Sequence, residues 1–416
     1  MKALFVSPRW PHPLSEFSNG TALRMRAILR GMQKATSQID LLLHAPARLP
    51  LGPDLAQAIR DDLDRLWGVK VSNVRLVNRD VVDEHEKEWW LGYVRPAFGV
   101  RFQPEYARLS GPAPLAALRQ AVAELRPDFL FAHRLNCMHA VQRSGSTVPV
   151  LFDLDDVEHK TFRRLLAIPP AWRAHYLKWG WLPTLEWCER RAIARASATF
   201  VCSTADRDYL SNRFHSKSVH VLPNALPVPA STPVPAEPTV LFVGMMSYLP
   251  NRQGVEHLLR DIWPRVRALH PQARLWVAGI GFETVQGHAS PPPGVEFLGF
   301  VPDLHALYAR SRVVVAPILT GGGTRVKIVE AALYGRPVVS TTLGAEGLEL
   351  SAGRGELVIA DEPGAFAQAV VDLLHDDARA ASIGAAGFEA GRSRYSEDVV
   401  HRIIGERIRA LAPARP

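Results

Sequence analysis

Short apolar runs alternate with longer stretches of helical period along most of this chain. In the first half, Ala3–Ser7, Ile39–His44, Asp128–Ala132, Val148–Phe152, Thr199–Cys202 and Val219–Leu222 read as strands. Thr21–Gln33, Pro112–Leu125 and Leu182–Ala196 read as helices between them. Pro223–Pro238 then holds six prolines and no period, the mark of a stiff linker. Beyond it, Val240–Val243, Arg274–Ala278, Val295–Leu298, Val313–Ala316 and Val338–Ser340 read as strands, with helices near Gly254–Leu269 and over Pro363–His375. Apolar strands without polar alternation are buried on both faces, which predicts parallel sheets covered by helices. The fold class expected is α/β: a domain over residues 1–222, a linker over 223–238, a second domain over 239–390, and a tail over 391–416. The tail carries a broken helical pattern over Glu389–Leu411 and is placed as a helix crossing back to the first domain. Two such domains with a cleft between them is the simplest architecture.

Length supports the division, since 416 residues exceed one ordinary core. No apolar run approaches the roughly 20 residues of a membrane helix. The run Ala3–Ser7 is too short for a signal segment and reads as a first buried strand. Cys137, Cys188 and Cys202 are odd in number and lack metal-ligand spacing, which favours reduced thiols and a cytoplasmic protein. The net charge of +8 is uneven. Up to Leu222 there are 31 Lys+Arg and 22 Asp+Glu, 31 − 22 = +9; the remainder has 18 and 19, 18 − 19 = −1. The basic half also carries eight of the ten tryptophans, among them Trp89, Trp90 and the run Trp172–Trp187, interleaved with Arg173, Lys178, Arg190 and Arg191. Core aromatics beside solvated arginines account for this. So does a surface meeting an anionic or lipid-linked acceptor at the inner face of a membrane. No nucleic-acid module or basic tract is visible.

Gly321–Pro337 carries the most chemistry. A glycine triplet follows the strand-like Arg312–Ile318, and Arg325, Lys327 and Glu330 follow the glycines into a helix. Bare backbone N–H groups, a helix N-terminus and two cations suit a pyrophosphate. A carboxylate at Glu330 could accept hydrogen bonds from ribose hydroxyls, or merely pair with Arg325 or Lys327. The segment suggests a sugar-nucleotide site. Open parallel sheets bind ligands at the carboxyl ends of their strands, where these residues fall.

The wider stretch Gly299-Phe-Val-Pro-Asp303, Ala316-Pro317, Gly321 to Ala331, Gly335 to Ser340 and Gly347 resembles the nucleotide-binding half of the retaining GT-B glycosyltransferases known as family 4. The resemblance covers most of residues 239–400. It implies two Rossmann-like parallel-sheet domains facing a central cleft, with the acceptor on the first and a nucleotide-diphosphate sugar on the second. It implies no cofactor and no metal. His133, Arg325, Lys327 and Glu330 take the catalytic positions. Asn19, Gly20, Gly244, Arg252, Gly279, Gly281, Val301, Gly322, Gly323 and Thr324 take the donor positions. Pro223-Asn224 is similar to the family's Pro-Asn-Gly, with Ala225 in place of the glycine. Two further departures stand out. The family's usual pair of glutamates would put one at position 322, where this chain has Gly322. Gly244 is followed by Met245, and Gln253-Gly254 stands where the family often has Lys-Gly, which leaves Arg252 as the nearest cation.

Asp153, Asp155 and Asp156 end a strand, with Glu158 and His159 close by. An Asp-x-Asp motif holds Mg or Mn in a different glycosyltransferase fold, GT-A. Here the Arg–Lys cluster already neutralises a diphosphate, so the acids are placed at the acceptor or at a strand-to-helix boundary. The expected function is a retaining, metal-independent glycosyltransferase of glycan, polysaccharide or glycolipid biosynthesis, acting on a carbohydrate or lipid-linked acceptor. A sugar-nucleotide epimerase or hydrolase on the same scaffold, or a non-catalytic nucleotide-sugar-binding protein, are the alternatives. A nicotinamide dehydrogenase is disfavoured, because no G-x-G-x-x-G follows the first strand.

Overall fold

The computed structural model describes residues 1–8, 12–14, 20–81, 94–167, 173–230, 232–321 and 323–411. The chain divides into two compact units, Met1–Asn224 with Val400–Pro416, and Ala225–Val399. Each contains one parallel sheet.

The first unit runs β1 (Lys2–Ser7), α1 (Gly20–Ala35), β2 (Gln38–Ala45), α2 (Pro53–Trp67), β3 (Asn73–Asn78), α3 (Pro104–Ser110), α4 (Pro112–Leu125), β4 (Phe129–His133), α5 (Leu135–Ser144), β5 (Val150–Asp155), α6 (Glu158–Leu166), α7 (Leu182–Arg195), β6 (Ala198–Val201), α8 (Thr204–Phe214) and β7 (Val219–Val221). Short 3₁₀ turns cover Arg95–Phe98, Val100–Phe102 and Arg173–Trp181. The strands order as β3-β2-β1-β4-β5-β6-β7, all pairs parallel. Strand order reverses between β1 and β4, which makes their carboxyl ends the crevice of this sheet. β4 is buried along its whole length. Its rings stack through the sheet: Phe5 lies 5.3 Å from Phe131, and Phe131 lies 6.1 Å from Phe200.

The second unit runs β8 (Thr239–Val243), α9 (Leu249–His257), α10 (Trp263–Leu269), β9 (Arg274–Ala278), β10 (Val295–Gly299), α11 (Leu304–Ala309), β11 (Val313–Ala316), α12 (Val326–Leu333), β12 (Val338–Ser340), β13 (Val358–Ile359), α13 (Pro363–His375) and α14 (Asp377–Tyr395); α15 (Glu397–Arg409) follows and passes into the first unit at Val400. The order is β10-β9-β8-β11-β12-β13, with the reversal between β8 and β11. Both sheets are therefore of the doubly wound type that the apolar runs predicted.

Several boundaries differ from the sequence expectation for identifiable reasons. β5 continues past Phe152 to Asp155, so Asp153 lies inside the strand. An ion pair with Arg24 makes that burial tolerable. The helix expected over Gly254–Leu269 begins earlier, at Leu249, and its middle, Leu258–Ile262, is a π-helical turn. Pro264 lacks an N–H and crowds the carbonyl one turn back, which widens the helix there. The proline-rich segment is stapled to the second unit. Arg336 donates to the carbonyls of Thr232 and Pro233, and Arg312 to that of Pro235 at 3.1 Å. The broken helical pattern of the tail becomes α14 and α15, separated at Ser396. Cys137, Cys188 and Cys202 are buried and unbridged.

Candidate functional site

In the second unit the carboxyl ends of four strands supply the site. β8 runs into Gly244, β9 into Gly279, β10 ends at Gly299, and β11 leads to the glycine loop before α12. Close packing explains two of these glycines. A Cβ on Gly279 would lie 1.9 Å from the Gly244 carbonyl, and Gly279 adopts φ +137°. A Cβ on Gly244 would lie 2.7 Å from Asn251 Nδ2 and 2.9 Å from Lys327 Nζ. The backbone here is drawn tight so that the lysine can reach the strand end.

Arg325 is the N-cap residue of α12 and is buried. Its guanidinium donates to the Gly323 carbonyl at 2.7 Å and the Thr320 carbonyl at 3.4 Å. It thus shapes the glycine loop as well as charging it. Lys327 donates to Asn251 Oδ1 at 2.9 Å and lies 3.9 Å from the centre of the Phe242 ring. Burial, and then Arg325, lower its pKa to about 7, against the pull of Glu330. Glu330 accepts from Tyr308 Oη at 2.8 Å; burial raises its pKa to about 6, opposed by that hydrogen bond and by Lys327. Tyr308 is itself fixed by stacking on Tyr334, with centroids 4.6 Å apart. Two groups of opposite charge, each destabilised in its charged form, form a site that gains from a ligand bringing phosphate and hydroxyl groups.

The other expected donor positions lie in the segments that follow these strands. Arg252 lies on α9 next to Asn251, with its backbone N–H donating to the Tyr248 carbonyl at 3.2 Å. Gly281 has φ +80°, and its Cβ would meet the Ser247 amide at 3.3 Å. Val301 follows the end of β10, and Gly323 and Thr324 precede Arg325. Met245, Tyr248, Ile280, Phe300 and Leu319 are exposed in the segments after β8, β9, β10 and β11, an apolar rim beside the charged cluster. Gly322 and Asn19 lie outside the described residues.

In the first unit His133 is the last residue of β4, beside the β1–β4 reversal, and is fully buried. Ser7 Oγ lies 2.9 Å from His133 Nδ1, and Asp153 Oδ2 lies 3.9 Å from His133 Nε2. Parallel register sets this: His133 pairs with Asp153 across β4 and β5. Asp153 is gripped by Arg24 of α1 at 2.5 Å, and Arg24 also reaches the Leu222 carbonyl and Asn224 Oδ1 at 2.8 and 3.0 Å. Burial works against the Arg24 charge, but Asp153 and Asp155 outweigh it and raise its pKa. Asp155 pairs with Arg134 at 2.5 Å and with Arg24 at 3.3 Å. Both Asp155 and Arg134 have positive φ, +66° and +78°, a strained turn at the strand end. Gly20 opens α1, so that helix starts at the same edge of the sheet.

Asp156 behaves differently. Burial and Asp155 raise its pKa to about 6, and Cys202 Sγ lies 3.5 Å from its Oδ1. Asp155, Asp156 and Cys202 bring donor atoms within 4.8 Å of one another. They suit a divalent cation poorly, since Asp155 is held by two arginines and burial keeps the Cys202 thiol protonated well above its usual range. Glu158 accepts from Tyr106 Oη at 2.5 Å, and burial raises its pKa to about 8. His159 pairs with Glu189 and lies 2.8 Å from Tyr209 Oη.

The sequence expectation missed Tyr308, Asn251, Arg24 and Arg134. Arg24 left a trace, a cation within the apolar stripe Ala22, Met25, Ile28 and Leu29. Tyr308 left none, being 22 residues from its partner Glu330.

Comparison with known proteins supplies the family. Residues 237–376 match the model described as glycosyl transferases group 1, and residues 68–228 match that of glycosyltransferase family 4. A GDP-mannose-dependent monoacylated alpha-(1-6)-phosphatidylinositol monomannoside mannosyltransferase of Corynebacterium glutamicum is 25% identical over 270 residues, 58% of this chain and 68% of that protein. A phosphatidyl-myo-inositol mannosyltransferase of Mycobacterium leprae is 36% identical over 169 residues, 39% of this chain and 44% of that protein, less than half its length. Among solved structures, sucrose-phosphate synthase of Thermosynechococcus elongatus superposes with TM-score 0.68 at 16% identity, covering 99% of this chain and 98% of that one. Anabaena HepE in complex with UDP and glucose gives 0.67 at 15% identity, covering 99% and 100%. At those identities the likeness shows the fold alone, which is GT-B. With residues 68–228 and 237–376 matched by the two models, on that fold, the chain belongs to glycosyltransferase family 4.

Proposed function

We propose that this glycosyltransferase moves a sugar from a nucleotide-diphosphate sugar to a hydroxyl of a carbohydrate or lipid-linked acceptor, with retention of anomeric configuration and without a metal ion. The observation that carries the reading is the Lys327–Glu330–Tyr308 cluster beside the loop shaped by Arg325. Lys327 and Arg252 meet the diphosphate oxygens. The backbone amides that lead into α12 from Gly323 onward add neutral donors. Glu330 accepts from the ribose hydroxyls, and the apolar rim receives the base. With glycine at 322, backbone amides hold the sugar in place of a second carboxylate.

The first unit presents the acceptor. His133 is fully buried between Ser7 and Asp153, so its part is to hold the ends of β1, β4 and β5 in place beneath the acceptor segment. Asp153 and Asp155 are neutralised by Arg24 and Arg134, so of the three acids Asp156 faces the acceptor. The bond between the sugar's anomeric carbon and the diphosphate oxygen breaks, the acceptor oxygen attacks from the same face, and the departing diphosphate takes the acceptor proton. The protein's share is positioning and charge stabilisation. The relatives that mannosylate phosphatidylinositol lipids, one of them GDP-mannose-dependent, support a glycolipid product and a GDP-sugar donor; the UDP complex of HepE supports a UDP-sugar. The enzyme is assigned to the cytoplasmic side, where glycan and polysaccharide precursors would be built. No helix among the described residues is long and apolar enough to cross a membrane.

A thermal-shift panel of UDP, GDP, ADP and their sugars, followed by product analysis with a glycolipid extract, tests the reading. One nucleoside diphosphate and its sugar should raise the melting temperature by mass action, and the product should keep the donor's anomeric configuration. Absence of any shift, or conversion of the donor without acceptor, would overturn it in favour of a different activity.

A further inference from the structure

One face of the first unit is exposed, aromatic and basic, and none of the chemistry above uses it. Phe98 is 79% exposed, and Trp187 and Tyr176 are each 57% exposed. Phe102, Leu165, Leu177 and Trp179 are exposed as well. They come from the 3₁₀ turns Arg95–Phe98, Val100–Phe102 and Arg173–Trp181 and from α6 and α7. These elements form one surface. Thr184 of α7 donates to the Pro96 carbonyl at 3.0 Å. A Cβ on Gly180 would lie 3.3 Å from Ala97 Cβ, and Trp181 stacks on Phe162 of α6 at 6.0 Å.

Helix geometry decides which side chains point out. On α7, Leu185, Cys188, Ala192 and Ile193 are buried. Trp187, Arg190, Arg191 and Ala194 fall on the opposite face and are exposed. Arginines frame the rings: Arg191 lies 4.8 Å over Trp187, and Arg101 lies 4.7 Å over Phe102. Arg95 and Arg163 are exposed too. The acids of the same helices are engaged elsewhere, Glu186 with Arg213, Glu189 with His159 and Glu158 with Tyr106. Glu105, at the start of α3, is an exposed acid beside the second turn.

We propose that this surface, Phe98, Tyr176, Trp179 and Trp187 with Arg95, Arg101, Arg190 and Arg191, docks on an anionic phospholipid bilayer. Charge complementarity selects the partner. Amphipathic aromatic rings settle at the headgroup level, and cations beside them meet lipid phosphates. The helix α6 that carries Leu165 starts directly after Asp156 and Val157, so the docked face adjoins the acidic strand end. Docking would present a lipid-linked acceptor to that end at the membrane surface.

Flotation of the full chain with phosphatidylcholine vesicles, with and without phosphatidylglycerol, tests this. The wild type should float with the anionic vesicles and lose binding as salt rises. Arg190→Glu with Arg191→Glu should weaken partitioning by at least about 25-fold, about five-fold for each charge removed. Phe98→Ala with Trp187→Ala should weaken it at least about ten-fold. Both variants should keep the wild-type melting temperature and nucleotide-induced shift, because their side chains are exposed and belong to the other unit from the nucleotide cluster. Equal flotation with neutral vesicles, no flotation of the wild type, or unchanged flotation of the Phe98/Trp187 variant would overturn the proposal. So would concentration-dependent self-association lost in the variants without vesicle binding, which would make the partner a second copy of the chain. A failed nucleotide shift with intact flotation would instead count against the donor assignment.

Discussion

Replacing Lys327 with Met removes one ammonium and keeps most of the side-chain volume. That ammonium bonds Asn251 at 2.9 Å and lies 3.9 Å from the Phe242 ring. Burial first, then Arg325, bring its pKa from 10.5 to about 7. A change of that size is at most about 5 kcal/mol against the charged form, less the part that solvent screens. The unfolded chain keeps this proton up to about pH 10.5 and the folded chain only to about pH 7, so the lysine's contribution makes the ligand-free protein more stable as pH rises between them. The Met variant should lose that slope. At neutral pH it should be no less stable than the wild type, even after losing a hydrogen bond of about 1 kcal/mol. A bound diphosphate reverses the sign. It favours the ammonium, so binding takes up a proton above about pH 7, and wild-type affinity should fall by up to about ten-fold per pH unit. A charge-assisted contact is worth about 2–3 kcal/mol, so the variant should bind roughly 30- to 150-fold more weakly near pH 7 with a flat profile. Calorimetric titration with UDP and GDP across that pH range measures both quantities. Unchanged affinity, or the same pH slope in the variant, would refute the assignment of Lys327 to the diphosphate.

Other substitutions probe the supporting structure. Glu330→Gln keeps an acceptor for Tyr308 and removes a carboxyl whose pKa burial raises to about 6. The stability tied to that raised pKa is present below about pH 4.5 and lost by about pH 6, so at neutral pH the variant should melt no lower than wild type while transfer falls about a hundred-fold; full turnover would exclude the ribose role. Gly279→Ala must move a Cβ 1.9 Å from the Gly244 carbonyl at φ +137°, and urea unfolding should show a loss of about 3 kcal/mol or more. Arg24→Met leaves Asp153 buried without its partner and should cost about 3–5 kcal/mol, of which Asp153→Leu in the same chain should recover a large share. A double variant no more stable than Arg24→Met alone would place the Arg24 contribution elsewhere, in its bonds to Leu222 and Asn224.

The residues proposed to hold the donor were legible because they are local. Gly323 to Glu330 is the end of one loop and the start of one helix, and local backbone geometry brings its cations and carboxylate together. The alternation of apolar strands and helices also fixed two parallel sheets, since strands buried on both faces need helical cover. Chain order could not reveal the partners that tune these groups. Asn251 and Tyr308 reach Lys327 and Glu330 across 76 and 22 residues, through packing between separate βα units. Arg24 meets Asp153 across 129 residues, and only the β1–β4–β5 order puts them together. The sequence determined which residue types could hold a sugar nucleotide. The tertiary structure decided their charge states, because burial and partners brought in from distant segments set the pKa values of Lys327, Glu330 and Asp156.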